Sequence, residues 1–153
     1  MDMTLMIAEL RRDEGVEYSP YVDTTGHQTV GVGHNLDVSP LPAGWTYPLS
    51  DEQVNALLTS DLGVTFGLLD HALPWWRGLD EVRQRVVANM AFNLGIGTLL
   101  TFHNTLGAMQ RGAYAVAAAG MLNSAWATQV GARAQRLAVA MESDVMPDEP
   151  ATT

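Results

Sequence analysis

The chain has 153 residues, enough for one domain or two small lobes, and 47% of them are hydrophobic, so a substantial core is expected. A net charge of −9 argues against a nucleic-acid ligand, whose phosphates require a basic face, and the absence of cysteine removes disulfides and thiolate metal sites. The four histidines form neither an i,i+4 pair nor an HExxH motif, which speaks against zinc; the apolar runs are too short to span a bilayer, and MDMTLMIAEL lacks the basic start of a signal peptide.

In chain order, residues 3–14 read as a helix. Met3, Ile7, Leu10 and Glu14 fall on one stripe, and Gly15 supplies the stop. Residues 16–35 alternate and turn as a hairpin, with Gly26 suited to positive φ. Residues 37–49 carry three Pro and one Gly and read as a loop. Ser50 and Gln53 form a capping box for a long helix over 51–72 whose apolar stripe is Val54, Leu57, Leu58 and Leu62, interrupted by Asp61. Asp80 is placed to cap the next helix, which is apolar on nearly every side from Val86 to Leu94 and ends at Gly95 and Gly97. Helical patterns recur over 104–110, 113–122 and 130–142. The stretch from Asp144 to Thr153 is polar, carries two Pro and is expected to be a flexible tail.

These elements predict an α+β architecture. A small lobe of about 13–50 holds a short antiparallel sheet. The helix at 51–72 bridges to a larger helical lobe of about 73–143, to which the N-terminal helix is assigned, and a cleft is expected between the lobes.

The pattern DEG-x7-D-x5-T-x4-H, running from Asp13 to His34, carries the chemistry. It brings two carboxylates, Glu14 and Asp23, and one hydroxyl, Thr29, to a single small turn. Glycoside hydrolysis needs such a set: an acid, a base and a group that holds water. Taken singly, each residue has an ordinary reading. Glu14 ends a helix, Asp23 precedes a turn, and Thr29 is a good strand former. Yet an acid at a helix C-terminus opposes the dipole, and burial on that stripe would keep it protonated, as a general acid requires. Asp61 sits in an apolar row and needs a partner; His34 is the candidate, giving a structural ion pair. Trp75 and Trp76 after Pro74 read as packing, with sugar stacking as the alternative.

The segment LRRDEGVEYSPYVDTTGHQTVGVGH resembles the phage-type lysozymes, glycoside hydrolase family 24, and the resemblance continues through SDEQVNALLTSDL, EVRQRVVANMAFNLGIG, LNSAW and the helix of Arg133 and Arg136. It covers the chain to about Ser143. The resemblance implies a lysozyme-like fold and cleavage of the β-1,4 bond between N-acetylmuramic acid and N-acetylglucosamine in peptidoglycan. Glu14 would protonate the leaving oxygen, Asp23 would stabilise developing charge and help activate a water, and Thr29 would hold that water. It also implies inversion, with the carboxyls separated by about 6.5–9.5 Å. No metal or organic cofactor is implied. His34 and Asp61 match a structural pair of the family, Asn93 falls where relatives carry an amide facing the cleft, which implies sugar contact there, and Arg133 matches an arginine near the cleft entrance.

The resulting expectation is a monomeric phage or prophage endolysin, made in the host cytoplasm, released to the wall through a holin-type pore and acting on glycan strands. A virion-associated lysozyme is a variant of it. Two other classes remain open. A module kept only for peptidoglycan binding usually lacks a catalytic group, whereas all three are present here. A lytic transglycosylase uses a glutamate without an aspartate partner and leaves a 1,6-anhydro end. One feature departs from the family: many members are basic, and this chain is acidic.

Overall fold

The computed structural model describes residues 1–152. The chain order is α1 (Met3–Glu14), β1 (Glu17–Val22), β2 (Gln28–Gly31), β3 (His34–Asn35), α2 (Asp51–Ala72), a 3-10 turn (Trp76–Gly78), α3 (Glu81–Leu94), α4 (Ile96–Leu99), α5 (His103–Gln110), α6 (Tyr114–Leu122), α7 (Ala125–Val130) and α8 (Ala132–Ser143). The architecture is α+β and lysozyme-like: mainly helical, with one small antiparallel sheet in the order β1-β2-β3. None of the described helices is long and apolar enough to cross a membrane.

Two compact units divide the chain, with the boundary inside α2. The sheet-bearing unit comprises Met3–Val64 together with the described residues from Pro150 on. The helix α1 therefore belongs with the sheet, not with the helical lobe as the sequence suggested. The physical reason is Arg11, near the end of α1. Its guanidinium donates to Asn55 Oδ1 and Asp51 Oδ1, each at 2.8 Å, and Tyr18 of β1 donates to the same Asp51 oxygen at 2.6 Å. One cation thus ties α1 and β1 to the first turns of α2.

The buried side of α1 also differs from the predicted stripe. Met6, Glu9 and Leu10 are buried, so the inward face is rotated from that of Met3, Ile7, Leu10 and Glu14. Gly15 does stop the helix, at φ +77. The capping box at α2 forms as expected: Ser50 N–H donates to Gln53 Oε1 at 2.9 Å, and Gln53 N–H donates to Ser50 Oγ at 3.1 Å. Val54, Leu57, Leu58 and Leu62 are buried along it.

The helical unit comprises Met1–Asp2 and Thr65–Glu149. Its centre is α3, where the residues from Arg83 to Ala91, Gln84 apart, are buried. Asp80 precedes that helix but makes no side-chain cap bond; its carboxylate pairs with Arg83 instead. Helices α5 and α6 approach closely at Gly120, where a Cβ would stand 2.3 Å from Thr105 Oγ1. The predicted flexible tail is corrected in part. Met146 is buried, and Glu149 receives Arg85 Nη1 at 3.0 Å, so these residues are held in the helical unit. Thr153, the last of that stretch, lies outside the described residues.

Candidate active site

The turn between β1 and β2 is built by its hydrogen bonds. Asp23 N–H donates to His27 O at 2.9 Å, Gly26 N–H donates to Asp23 O at 3.1 Å, and Gly26 takes φ +86. A three-residue hairpin loop needs a residue at positive φ in this place, and glycine adopts it without a Cβ clash. The register puts Tyr21 opposite Thr29 and Val22 opposite Gln28.

Within that turn Asp23 uses one oxygen. Oδ1 accepts Thr25 N–H, Thr25 Oγ1–H and His27 N–H, each at 2.9 Å. Among the described residues, Oδ2 accepts no hydrogen bond. The His27 N–H is the main reason the carboxyl is held below its ordinary value; the two Thr25 donors and the His27 charge act the same way, and desolvation acts against them. The turn-forming and chemical readings of Asp23 are thus both accommodated, on different oxygens.

Thr29, on β2, is buried, and its hydroxyl donates to His27 O at 2.9 Å. With its proton committed there, the Thr29 oxygen faces any other neighbour as an acceptor, the role a water-holding hydroxyl needs. Glu14 is the last residue of α1 and is half-buried. Its charge reaches the same region as that of Asp23. The Tyr21 phenol is pushed up first by burial and then by Glu17, Asp23 and Glu14. Tyr21 is therefore a neutral hydroxyl in the field of both candidate carboxylates. Sequence reasoning passed over it, although its i,i+2 spacing to Asp23 on an extended strand places the two on one side.

His34 lies with Nδ1 2.7 Å from Asp61 Oδ2 and Nε2 2.7 Å from Ser39 O. Ser39 O only accepts, so Nε2 carries a proton, and the Asp61 carboxylate favours a second proton on Nδ1. The Asp61 hydrogen bond is the largest cause of the raised His34 value, with Ser39 and the Asp61 charge adding to it and burial opposing it.

In the helical unit, Asn93 Oδ1 accepts Trp126 Nε1–H at 2.7 Å; an indole only donates, so the amide NH2 of Asn93 points elsewhere. Arg133 is buried and donates from Nε and Nη2 to Asn89 Oδ1 at 2.9 and 2.8 Å. Asn89 was not anticipated: an amide inside an apolar helix, VVANMAF, was the available signal, since a buried amide needs a partner. Trp76 is fully buried, stacks at 5.6 Å on Phe66 and donates to Asp70 at 2.7 Å, which makes it packing and not a sugar platform.

Each unit also has an open concavity. That of the sheet-bearing unit, about 460 Å³, is lined by Arg11, Asp51 and Asn55 among others. That of the helical unit, about 640 Å³, is lined by Phe102, His103, Trp126 and Gln129 among others. Neither is lined by Glu14, Asp23 or Thr29, so the candidate site rests on the chemistry of the turn and not on cavity size. Among the described residues no group of three His, Asp or Glu side chains gathers to hold a metal ion.

Comparison with known proteins bears on this arrangement. The family model described as "Phage lysozyme" matches residues 11–139. A protein named probable T4-type lysozyme 1, from Dictyostelium discoideum, is 27% identical over 90% of this chain and 93% of its own length. The pre-baseplate central spike protein Gp5 of Enterobacteria phage T4 is 29% identical over 86% of this chain, which spans only 26% of that protein.

Proposed function

Because the chain belongs to the phage lysozyme family, we propose that it is a peptidoglycan muramidase that cleaves the β-1,4 bond between N-acetylmuramic acid and N-acetylglucosamine with inversion. The observation that carries this reading is the divided use of Asp23: Oδ1 is committed to three donors of the turn, while Oδ2 is left for chemistry.

Glu14, in its acid form, gives a proton to the glycosidic oxygen as the bond to the anomeric carbon breaks. A water hydrogen-bonds through one proton to the Thr29 oxygen and through the other to Asp23 Oδ2. As the water oxygen bonds the anomeric carbon, Asp23 takes one of its protons. The Asp23 charge also favours the oxocarbenium-like transition state. The residues then exchange protons with solvent and return to their starting states. No metal or organic cofactor enters this scheme.

In the setting proposed, the protein acts as a monomer on glycan strands, binds no nucleic acid and does not insert in membranes. It accumulates in the host cytoplasm as a phage or prophage endolysin and reaches the wall when a holin-type pore opens. The match to a central spike protein supports a second setting, a lysozyme carried by the virion. Asn93 and Arg133 are proposed to serve the substrate side, Asn93 through its amide NH2 and Arg133 by fixing Asn89.

Digestion of purified peptidoglycan, with mass spectrometry and NMR of the new ends, tests the reaction. Reducing N-acetylmuramic acid ends that first appear as the α-anomer are expected. A 1,6-anhydro end would replace hydrolysis by transglycosylation, and a β-anomer would replace inversion by retention. A wild-type protein that sediments with peptidoglycan yet releases nothing would leave only the binding module.

A further inference from the structure

The peptide plane joining His27 to Gln28 lies at the centre of the candidate site. Its carbonyl oxygen accepts both Asp23 N–H and Thr29 Oγ1–H, each at 2.9 Å. The same oxygen therefore sets the position of two residues assigned to the reaction. The N–H of that plane, on Gln28, donates to Asp37 Oδ2 at 3.2 Å. A peptide unit is rigid, so an acceptor at its N–H end restricts rotation at its C=O end.

Asp37 is itself fixed. Its N–H donates to Asn35 Oδ1 at 2.9 Å, and Asn35 pairs with Thr29 in the sheet. Leu36 N–H donates to Gln28 O at 2.8 Å, and the His34 ring holds Ser39 O at the far end of the same loop. The His27 ring stands 3.4 Å from Asp37 Oδ2, and both of those side chains are about half exposed, at 49% and 51%.

We propose that Asp37 is a positioning residue of this site: by holding the Gln28 N–H it sets the His27–Gln28 peptide plane, and through it the placement of Asp23 and Thr29. The inference rests on the muramidase reading only for its kinetic consequence. The structural link from Asp37 to Asp23 is independent of that reading. The carboxyl of Asp23 owes its lowered value first to the His27 N–H, so loosening this turn moves Asp23 back toward an ordinary carboxyl. The other charged groups around Asp23 are the His27 ring, which itself faces Asp37, and, through Tyr21, Glu14 and Glu17; substitution at position 37 leaves both glutamates in place, and His27→Gln measures the share of the ring.

Asp37→Ala, Asp37→Asn and His27→Gln separate the contributions. Asparagine keeps an oxygen acceptor for Gln28 N–H, alanine does not, and His27→Gln removes the ring while keeping the peptide. The His27 amide resonance, followed by heteronuclear NMR from pH 2 to 7, reports the titration of Asp23. In Asp37→Ala its midpoint is expected to rise, kcat to fall about tenfold, and KM to stay within about twofold, because misplacement of reacting groups acts on the chemical step. Asp37→Asn should recover most of the loss seen in Asp37→Ala, and His27→Gln, which removes the smallest of the causes acting on Asp23, should raise the midpoint less than Asp37→Ala does. Melting temperatures should change little in all three, since an exposed pair adds little stability. An unmoved midpoint in Asp37→Ala overturns the proposal, and so does an asparagine variant as impaired as alanine. A shifted midpoint in a protein that releases no sugar ends would keep the positioning role and remove the muramidase instead.

Discussion

The two units handle charge in opposite ways. In the helical unit, Arg83 is buried and fully engaged: Nε donates to Met141 O at 2.7 Å, Nη2 to Glu142 O at 3.0 Å, Nη1 pairs with Asp80, and the guanidinium lies 3.6 Å from the centre of the Tyr114 ring. It satisfies carbonyls at the end of α8 that the helix itself leaves unpaired. Arg85 is similarly held between Glu81 and Glu149. In the sheet-bearing unit, Asp23 commits one oxygen and withholds the other. A charge locked on every side supports the fold; a charge held on one side only remains able to react. The difference predicts which substitutions break activity and which break stability.

The largest expected effect is at Glu14. Glu14→Gln removes the proposed proton donor and should lower kcat about a thousandfold, with the cooperative melt retained. Asp23→Ala should cost nearly as much turnover. It also removes an acceptor from three donors, so Asp23→Asn, which keeps an oxygen for the turn, serves as the control for folding. Product release by either variant at more than a tenth of the wild-type rate would contradict the assignment of the two carboxylates. Asp23 has an ordinary value near 3.9 in the unfolded chain and a lower one when folded. Its bonds therefore stabilise the fold above that unfolded value, and the contribution is lost as the pH falls through the folded value.

Arg83→Ala should behave in the reverse manner. It strands the Met141 and Glu142 carbonyls and the Asp80 charge, at a cost of about 3 kcal/mol. Denaturant unfolding measures that loss. The activity per folded molecule should be retained below the new melting temperature. A loss of turnover without a loss of stability would erase the distinction between the units.

Where local rules act alone, the sequence was readable. The capping box of α2, the Gly15 stop and the glycine of the hairpin turn each depend on residues within a few positions of one another. The placement of Glu14 at a helix end and of Asp23 and Thr29 on one hairpin was legible for the same reason. Features that depend on distant partners were not. The inward face of α1 runs through Met6, Glu9 and Leu10, and Arg11 beside it is held by Asp51 and Asn55, some forty residues on. Asp80 looked like a cap, but a buried guanidinium three residues later competes for it. The stretch from Asp144 has a disordered composition, yet Glu149 answers a buried cation at Arg85 that no local window reveals. The contact of Asp37 with the Gln28 N–H depends on register, which the hairpin pattern left open.

His34 and Asp61 fall between the two regimes: the pair is largely buried, as in the helical unit, yet lies in the sheet-bearing one, with side chains 4% and 28% exposed. Asp61→Asn should cost about 1–2 kcal/mol near neutral pH and leave turnover largely intact below the melting temperature. The raised His34 value fixes the sign of the pH dependence. The contribution of the pair is complete below the unfolded histidine value of about 6.5 and disappears as the pH rises through the folded value. The gap in melting temperature between wild type and Asp61→Asn should therefore narrow in alkaline buffer. A gap that widened there would mean that the ring is neutral and that its two oxygen neighbours are not both accepting from it.

The smallest expected effect concerns the whole surface. A chain with net charge −9 is repelled by an anionic wall polymer, and that repulsion reaches as far as the Debye length. The length falls from about 30 Å at 0.01 M salt to about 10 Å at 0.1 M. Added salt should therefore raise kcat/KM on intact walls a few-fold over that range. On a short soluble glycan fragment of alternating N-acetylmuramic acid and N-acetylglucosamine, which carries few charges, salt should have a smaller effect. The contrast separates the field of the molecule from the field of its site, because the Asp23 turn is the same in both assays. If salt instead slowed wall digestion, a local cationic patch on the helical unit would have to dominate approach, and the arginines that are buried there to hold the fold could not supply it.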